Sequence, residues 1–183
     1  MAEIRCLLLE PTDQVARWLR RYTAGGRCQV TPLGYHDAMV RIEDGPVTLD
    51  GARPWLVRSQ PAHDYDGDPR WPASCPCGRR FDPPDAAQVF CSRIYRDAVS
   101  ARAWPLRAAP VGAIWEAPWY GCAGPDGRCW VVRTPGGDWV IDGTASGGGR
   151  WTRTGTPPRL TVSPSILVRG YHGWLRDGLL VDA

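Results

Sequence analysis

The sequence predicts an α+β fold that is mostly antiparallel β-sheet with two short helices. Short apolar runs separated by Gly, Pro and Asp are typical of antiparallel strands, and two longer segments space their apolar residues like one face of a helix. A length of 183 residues suits one domain. We expect that single domain to comprise a small N-terminal subdomain over 1–60, a cysteine-containing segment over 61–100 and a β-rich part over 101–183.

The N-terminal part is predicted to form a strand and then a helix. Residues 3–9 (EIRCLLL) have the apolar character of a strand. Pro11-Thr12-Asp13 is typical of a helix start, and Gly25-Gly26 of its end. The apolar face of this helix would consist of Val15, Trp18, Leu19 and Tyr22. Short strands are predicted between 27 and 58, followed by a loop over 59–72.

A second helix is predicted to begin at Asp82 and to run to about Tyr95. Asp82 can cap the first turn, and Pro83-Pro84 suit the first helical positions. The apolar stripe would contain Val89, Phe90 and Ile94, with Cys91 close to it. Residues 100–120 show no regular pattern.

A β-hairpin over 129–142 is the clearest element of the sequence. The apolar runs CWVVRT and WVID flank Pro135-Gly136-Gly137-Asp138, whose glycines can supply the positive φ of a tight turn. Gly147–Gly149 predicts a flexible loop. Further strands are predicted over 159–168 and 171–181, the latter turning at Arg176-Asp177-Gly178.

The composition excludes several kinds of chemistry. All 22 basic residues are arginine, and the chain contains no lysine and no asparagine, as expected of a GC-rich genome. Lysine Schiff bases, a Walker A loop and N-glycosylation are therefore excluded. The net charge of +3 is small and evenly spread, which favours a solvated surface. Because arginine stacks on aromatic rings and binds phosphate, nucleic-acid binding stays open as an alternative.

The N-terminal residues lack the pattern of a signal peptide, and no apolar stretch approaches the length of a membrane span. We therefore expect a cytoplasmic origin and no membrane partner. Seven cysteines in such a compartment indicate free thiols or metal ligands rather than a disulfide framework.

The strongest candidate for chemistry is 75-CPCG-78, a tight turn that can direct the thiols of Cys75 and Cys77 to one point. Thiolates select soft ions, so zinc is the expected metal. A structural zinc site needs four ligands, and Cys91 and His63 are the candidates that would complete it. The alternative is a pair of free thiols in a turn.

The other cysteines are assigned more conservatively. Cys122 and Cys129 flank a turn and could form a disulfide or a second metal half-site, although two buried strand cysteines are the favoured interpretation. Cys6 and Cys28 are assigned to the core.

Evidence for catalysis is weak in the sequence. A Ser165–His172–Asp177 arrangement is conceivable, but no G-x-S-x-G motif surrounds Ser165. A histidine satisfied within the sheet is the favoured interpretation, and no catalytic residue is assigned.

Several motifs together resemble an uncharacterised family of proteins carried by tailed bacteriophages of GC-rich hosts. They are 34-GYHDA-38, 69-PRWPASCPCGRRF-81, 105-PLRAAPVGA-113, 112-GAIWEAPWY-120, 124-GPDGRCWVVRTPGGDWVIDGTAS-146, 155-GTPPRLTV-162 and 171-YHGWLRDGLL-180. The resemblance implies a phage source but no mechanism. It also implies a Cys/His cluster after Ser146 and a cysteine before Ser165, where this chain has 147-GGGR-150 and 163-SPS-165. This chain is therefore expected to lack a metal site in that region.

The expected function is that of a non-enzymatic phage protein, located in the virion or the host cytoplasm, which binds other virion proteins or self-assembles. Trp and Arg supply much of the energy of interfaces, so the predicted binding residues are Trp104, Trp115, Trp119, Trp151, Arg153 and Trp174. One alternative is an intracellular accessory protein that binds nucleic acid or a host factor on a zinc-knuckle scaffold. A second alternative is a hydrolase that uses Ser165 or Cys77 with His172.

Overall fold

The computed structural model describes residues 3–23, 25–31, 34–58, 60–82, 85–144, 149 and 151–183. Over these residues the chain forms fourteen β-strands: β1 Glu3–Arg5, β2 Leu7–Tyr22, β3 Asp37–Pro46, β4 Leu49–Asp50, β5 Arg53–Val57, β6 Ala86–Asp97, β7 Ala103–Pro105, β8 Ala113–Glu116, β9 Trp130–Thr134, β10 Gly137–Val140, β11 Thr152–Thr156, β12 Arg159–Val168, β13 Tyr171–Arg176 and β14 Leu179–Asp182. Short 3-10 turns lie at Ala62–Tyr65, Leu106–Ala108 and Pro118–Tyr120.

The fold is β-rich, and the α+β prediction is wrong. Within the described ranges only 3-10 turns are helical, and none of these helices is long and apolar enough to span a membrane. The first predicted helix is the long strand β2, and the second coincides with β6. Pro83-Pro84 of the second prediction, and Gly147-Gly148 of the predicted loop, lie outside the described residues.

The spacing of its buried residues explains why β2 resembles a helix in the sequence. The register of β2 against β3 shifts between Arg17 and Trp18. The extra residue at this shift is Ile42 of β3, so β2 itself stays regular, and its buried residues Val15 and Leu19 lie four positions apart, a spacing that one face of a strand shares with one face of a helix. In β6 the buried residues Val89, Tyr95 and Asp97 keep the even spacing of a strand.

The chain forms two compact units. Unit 1 contains residues 1–12 and 95–183, and unit 2 contains residues 13–94. The strands β2 and β6 each contribute residues to both units.

Unit 1 contains a five-stranded antiparallel sheet in the order β1-β14-β13-β12-β11. A second sheet of this unit has the order β10-β9-β8, followed by the start of β2, which runs parallel to β8. Both sheets contribute to one apolar core, which includes Ile114, Trp130, Val132, Leu160 and Leu175. Burial of these side chains is the main source of stability in such an arrangement.

The predicted hairpin is confirmed. Strands β9 and β10 pair antiparallel, with Thr134 opposite Gly137. The loop therefore has two residues, Pro135 and Gly136, and is shorter than the predicted turn. Gly137 has a φ of 120° and supplies the unusual backbone conformation. The predicted strand over 159–168 is confirmed as β12, and 171–181 forms the pair β13 and β14.

Unit 2 is built on β2 and β3, which pair antiparallel from Gln14–Pro46 to Tyr22–Asp37. A separate two-stranded sheet consists of β4 and β5. A small buried cluster of Cys28, Cys75 and Phe81 lies against Ala38. This cluster contains two cysteines and leads directly to the candidate site.

Candidate metal centre

Four side chains of unit 2 converge on one point: Cys28, His36, Cys75 and Cys77. Their ligand atoms, three sulfurs and one imidazole nitrogen, all lie within 4.8 Å of one another. Cys28 Sγ is 3.8 Å from Cys75 Sγ, and Cys77 Sγ is 3.2 Å from His36 Nδ1. The group could hold a metal ion.

The segment between β2 and β3 supplies the first two side chains. The N–H of Cys28 donates to the carbonyl of Gly34 at 2.9 Å and closes a turn. The N–H of Thr23 donates to the carbonyl of His36 at 3.0 Å, next to the Tyr22–Asp37 pair. Strand pairing therefore fixes His36, and the turn fixes Cys28.

A narrow loop supplies the other two side chains. The N–H of Cys75 donates to the carbonyl of Arg79 at 2.8 Å, and the N–H of Gly78 donates to the carbonyl of Cys75 at 2.8 Å. Gly78 has a φ of 94°, which favours glycine. A bridge between Ser74 and Arg80 closes the loop behind this turn. The CPCG sequence thus forms the tight turn predicted for it.

Backbone hydrogen bonds favour a thiolate at Cys28. A bond from the backbone of Thr31, with a weaker one from Val30, lowers the pKa of Cys28 to about 6, and desolvation opposes part of this effect. At Cys77 a backbone hydrogen bond from Arg79 lowers the pKa. Desolvation and the neighbouring thiols Cys75 and Cys28 raise it by more, so the net shift is upward. Sulfurs this close repel one another as thiolates, and a bound cation removes that repulsion.

Two of the predicted ligands lie elsewhere in unit 2. His63 is an exposed residue of the turn Ala62–Tyr65, with its Nε2 3.4 Å from an Asp64 carboxylate oxygen. Cys91 lies in β6 and lines a separate cavity. The structure therefore brings together Cys75 and Cys77 of the predicted set, with Cys28 and His36 in the other two positions.

The sequence contained a signal for the missed ligands. Cys28 was assigned to the core, and it is indeed buried, but beside Cys75. His36 belongs to 34-GYHDA-38, a segment that already carried the family resemblance together with CPCG. The seven residues between Cys28 and His36, with Gly34 as a turn residue, could have suggested a ligand pair.

The six residues predicted to bind a partner differ in exposure. Trp115 belongs to the buried core of unit 1, and Arg153 is also buried, so neither is available to a partner. Trp104 and Trp151 are partly buried against the cores, and Trp174 packs near His172 with ring centroids 5.9 Å apart. Trp119 is 38% exposed.

The cysteines flanking the 123–128 turn form a disulfide, Cys122–Cys129, and not the pair of separate strand cysteines that was favoured. The turn returns the chain so that the two Cα atoms lie 5.3 Å apart, within the range that a disulfide requires. Cys6 is buried in the core of unit 1, as predicted.

Ser165 and His172 are in contact, with His172 Nε2 3.2 Å from Ser165 Oγ. The pair lies across β12 and β13, and His172 is exposed. Asp177 lies in the turn after β13, where its N–H donates to Thr161 Oγ1 at 2.9 Å. Of the three residues considered for catalysis, Ser165 and His172 therefore form a pair on a strand surface.

Comparison with known proteins adds no relative. No family model matches the chain, no curated protein matches it, and no solved structure matches it. The fold and the Cys/His cluster therefore define the protein as a β-rich protein with a candidate metal centre.

Proposed function

We propose that the protein is a non-enzymatic interaction protein in which a zinc ion fixes the loops of unit 2. The convergence of Cys28, His36, Cys75 and Cys77 carries this proposal. Three thiols and one imidazole form a Cys3His set, which is typical of structural zinc.

Two of the distances between ligand atoms are close to those expected for zinc. Thiolates bound at about 2.3 Å to a tetrahedral zinc ion lie about 3.8 Å apart, and Cys28 Sγ and Cys75 Sγ are 3.8 Å apart. A thiolate and an imidazole nitrogen would lie about 3.6 Å apart, compared with 3.2 Å for Cys77 and His36. Cys77 is exposed and free to make this small adjustment.

The number of ligands favours a structural role. Catalytic zinc usually has three protein ligands and leaves one position for water or substrate. Here four side chains would fill a tetrahedral shell. The zinc would link the loop before β3 with the loop at 75–79, where the buried apolar cluster is small.

Replacing single ligands tests this proposal. The purified wild-type protein is expected to contain one zinc ion per chain, and Cys28→Ser to lose it. Cys91→Ser is the matched control, because it removes a thiol of the same unit outside the cluster. Elemental analysis of the three proteins gives the answer. Full zinc content in Cys28→Ser, or equal loss in Cys91→Ser, would contradict the assignment.

We propose further that the protein belongs to a tailed bacteriophage and binds virion or assembly proteins. The motif resemblance supports the source, and exposed aromatic residues support the mode of action. Trp119 is 38% exposed and Tyr120 52% exposed, with ring centroids 6.2 Å apart. Mass spectrometry of purified virions should detect the polypeptide. Its absence from virions and from assembly intermediates would exclude this role.

A second candidate function is binding of single-stranded nucleic acid by unit 2. Trp18 and Phe90 lie on neighbouring strands with ring centroids 5.7 Å apart, and the Arg41 guanidinium lies 5.9 Å from the Trp18 centroid. Stacking rings beside arginine are typical of such surfaces. The test is binding of single-stranded DNA at increasing salt concentration, compared between the wild type and Trp18→Ala. Affinity that is independent of salt, or equal in both proteins, would exclude it.

A further inference from the structure

Unit 2 contains a cavity of about 210 Å³ that the metal centre does not use. Its polar lining consists of Arg17, Thr48, Arg58, Gln60 and Cys91. The remainder is apolar and includes Val15 and Val57. The volume lies below the roughly 300–1,000 Å³ of sites for drug-sized ligands, so the occupant should be a small group.

Both arginines of this cavity lack a carboxylate partner among the described residues. Arg17 donates from Nη2 to the carbonyl of Pro46 at 3.2 Å, while its buried Nε–H has no hydrogen-bond partner. Arg58 is held through its backbone, whose N–H donates to the carbonyl of Thr48 at 2.7 Å, and its side chain is exposed. An unpaired buried donor on a guanidinium is costly, and an anion would satisfy it.

No carboxylate among the described residues forms an ion pair with Arg17. Glu43 lies opposite Arg17 in the β2–β3 register, but its carboxylate accepts a hydrogen bond from the Tyr65 hydroxyl at 2.9 Å and makes no ion pair with Arg17. Burial raises the pKa of the Cys91 thiol, and the backbone of Gln60 and the Arg17 guanidinium offset only part of this effect, so the thiol carries no negative charge near pH 7. Among the residues that the structure describes, no Asp or Glu lines the cavity.

Further donors surround the arginines. The side-chain amide of Gln60 lies 3.2 Å from the oxygen of the Tyr65 hydroxyl, whose single hydrogen is donated to Glu43. Its nitrogen carries two N–H groups, so at least one donor remains for the cavity. The hydroxyl of Thr48 is a second neutral donor. Several donors around a small space suit an acceptor with oxygens in more than one direction.

We propose that this cavity binds a tetrahedral oxyanion of the phosphate type, either as free phosphate or as the phosphate end of an ester. Two guanidinium groups bind phosphate oxygens through charge-assisted, often bidentate hydrogen bonds. The proposal is independent of the zinc centre, because none of the four metal-centre residues lines the cavity.

The first experiment is an isothermal calorimetric titration of the metal-loaded wild-type protein with inorganic phosphate at low ionic strength. Arg58→Met should weaken binding at least about tenfold, because a hydrogen bond to a charged group is lost. Arg53→Met is the matched control, since Arg53 is an exposed arginine at the start of β5, the strand that Arg58 follows, but does not line the cavity. It should bind phosphate as the wild type does.

The second readout locates the anion. The side-chain Nε–H of Arg17 should give a nuclear magnetic resonance signal that shifts on addition of phosphate and is absent in Arg17→Lys. A titration with a phosphate monoester distinguishes the two sources, since tighter binding of the ester assigns the site to a larger phosphorylated ligand. Two results would overturn the proposal: no binding of either probe at high-millimolar concentration, or equal weakening in Arg58→Met and Arg53→Met.

Discussion

At the scale of single residues, the buried Arg153 of unit 1 is held by two carboxylates. Its Nε donates to Asp142 at 2.8 Å and its Nη2 to Asp126 at 2.6 Å. The Asp142 carboxylate also accepts from the N–H of Trp130 at 2.8 Å, and Asp126 accepts from the indole of the same residue at 3.2 Å. Gly124 leaves room for this network, because a Cβ there would overlap both Arg153 and Asp142. The residue predicted to bind a partner therefore holds the interior of unit 1 together.

Removing the charge of Arg153 should be strongly destabilising. Arg153→Met leaves Asp142, whose side chain is 3% exposed, as a buried unpaired charge. We expect a loss of about 3 kcal/mol in the free energy of unfolding, measured by denaturant titration. Arg128→Met is the control, because its pair with Glu116 is exposed and 3.8 Å long, and should change stability by less than about 1 kcal/mol. Similar losses in both variants would disagree with this account.

The same network predicts an acid dependence. Hydrogen bonds from Arg153, followed by those from Trp130 and Arg128, hold the pKa of Asp126 well below its usual range. A depressed folded-state pKa stabilises the protein above the unfolded-state value of about 3.9, and this contribution is lost as the pH falls further. As the pH is lowered below about 5, the thermal unfolding midpoint of Asp126→Asn should therefore decrease less steeply than that of the wild type. Asp66→Asn, an exposed control, should follow the wild-type profile.

At the scale of elements, the loop of the β9–β10 hairpin packs closely against another strand. The two-residue loop of the β9–β10 hairpin places Gly136 against the backbone of Val168. A Cβ at Gly136 would overlap the carbonyl oxygen of Val168, which belongs to β12 and cannot rotate away as a side chain would. The glycine at this position is thus required by packing between strands.

Gly136→Ala should consequently destabilise unit 1 by about 1–3 kcal/mol, the usual cost of overpacking. Gly51→Ala is a suitable control, since a Cβ at Gly51 meets no atom within 4 Å. Thermal unfolding followed by circular dichroism measures both effects. An unchanged midpoint for Gly136→Ala would show that the hairpin packs differently.

At the scale of the whole molecule, the two units should respond differently to loss of metal. The candidate ligands all lie in unit 2, within residues 13–94. Unit 1 has its own apolar core and the Cys122–Cys129 disulfide. Each unit therefore has its own source of stability.

Chelation should thus lower amide-exchange protection selectively. Hydrogen exchange monitored by mass spectrometry should show faster exchange over peptides from 13–94 after treatment with a zinc chelator. Peptides from β12 to β14 should keep their protection, because their pairing involves no metal ligand. Equal acceleration in both units would refute a metal effect confined to unit 2.

The sequence by itself determined the elements that local patterns specify. The hairpin at 130–140 and the strands over 159–168 and 171–181 follow from alternating apolar residues with Gly and Asp turns. The CPCG turn is equally local, since Gly78 and neighbouring backbone hydrogen bonds form it. For each of these strands, one pairing partner is the strand next to it along the chain.

Only the tertiary structure decided the identity of β2 and β6 and the composition of the candidate centre. The buried residues of β2 have a spacing that a helix and a strand share, and pairing with distant strands decides its conformation. Cys28 and Cys75 are 47 positions apart and meet through the packing of Phe81 and Ala38. A thiol in a sequence carries no information on its distant neighbours, because the fold alone brings them into contact.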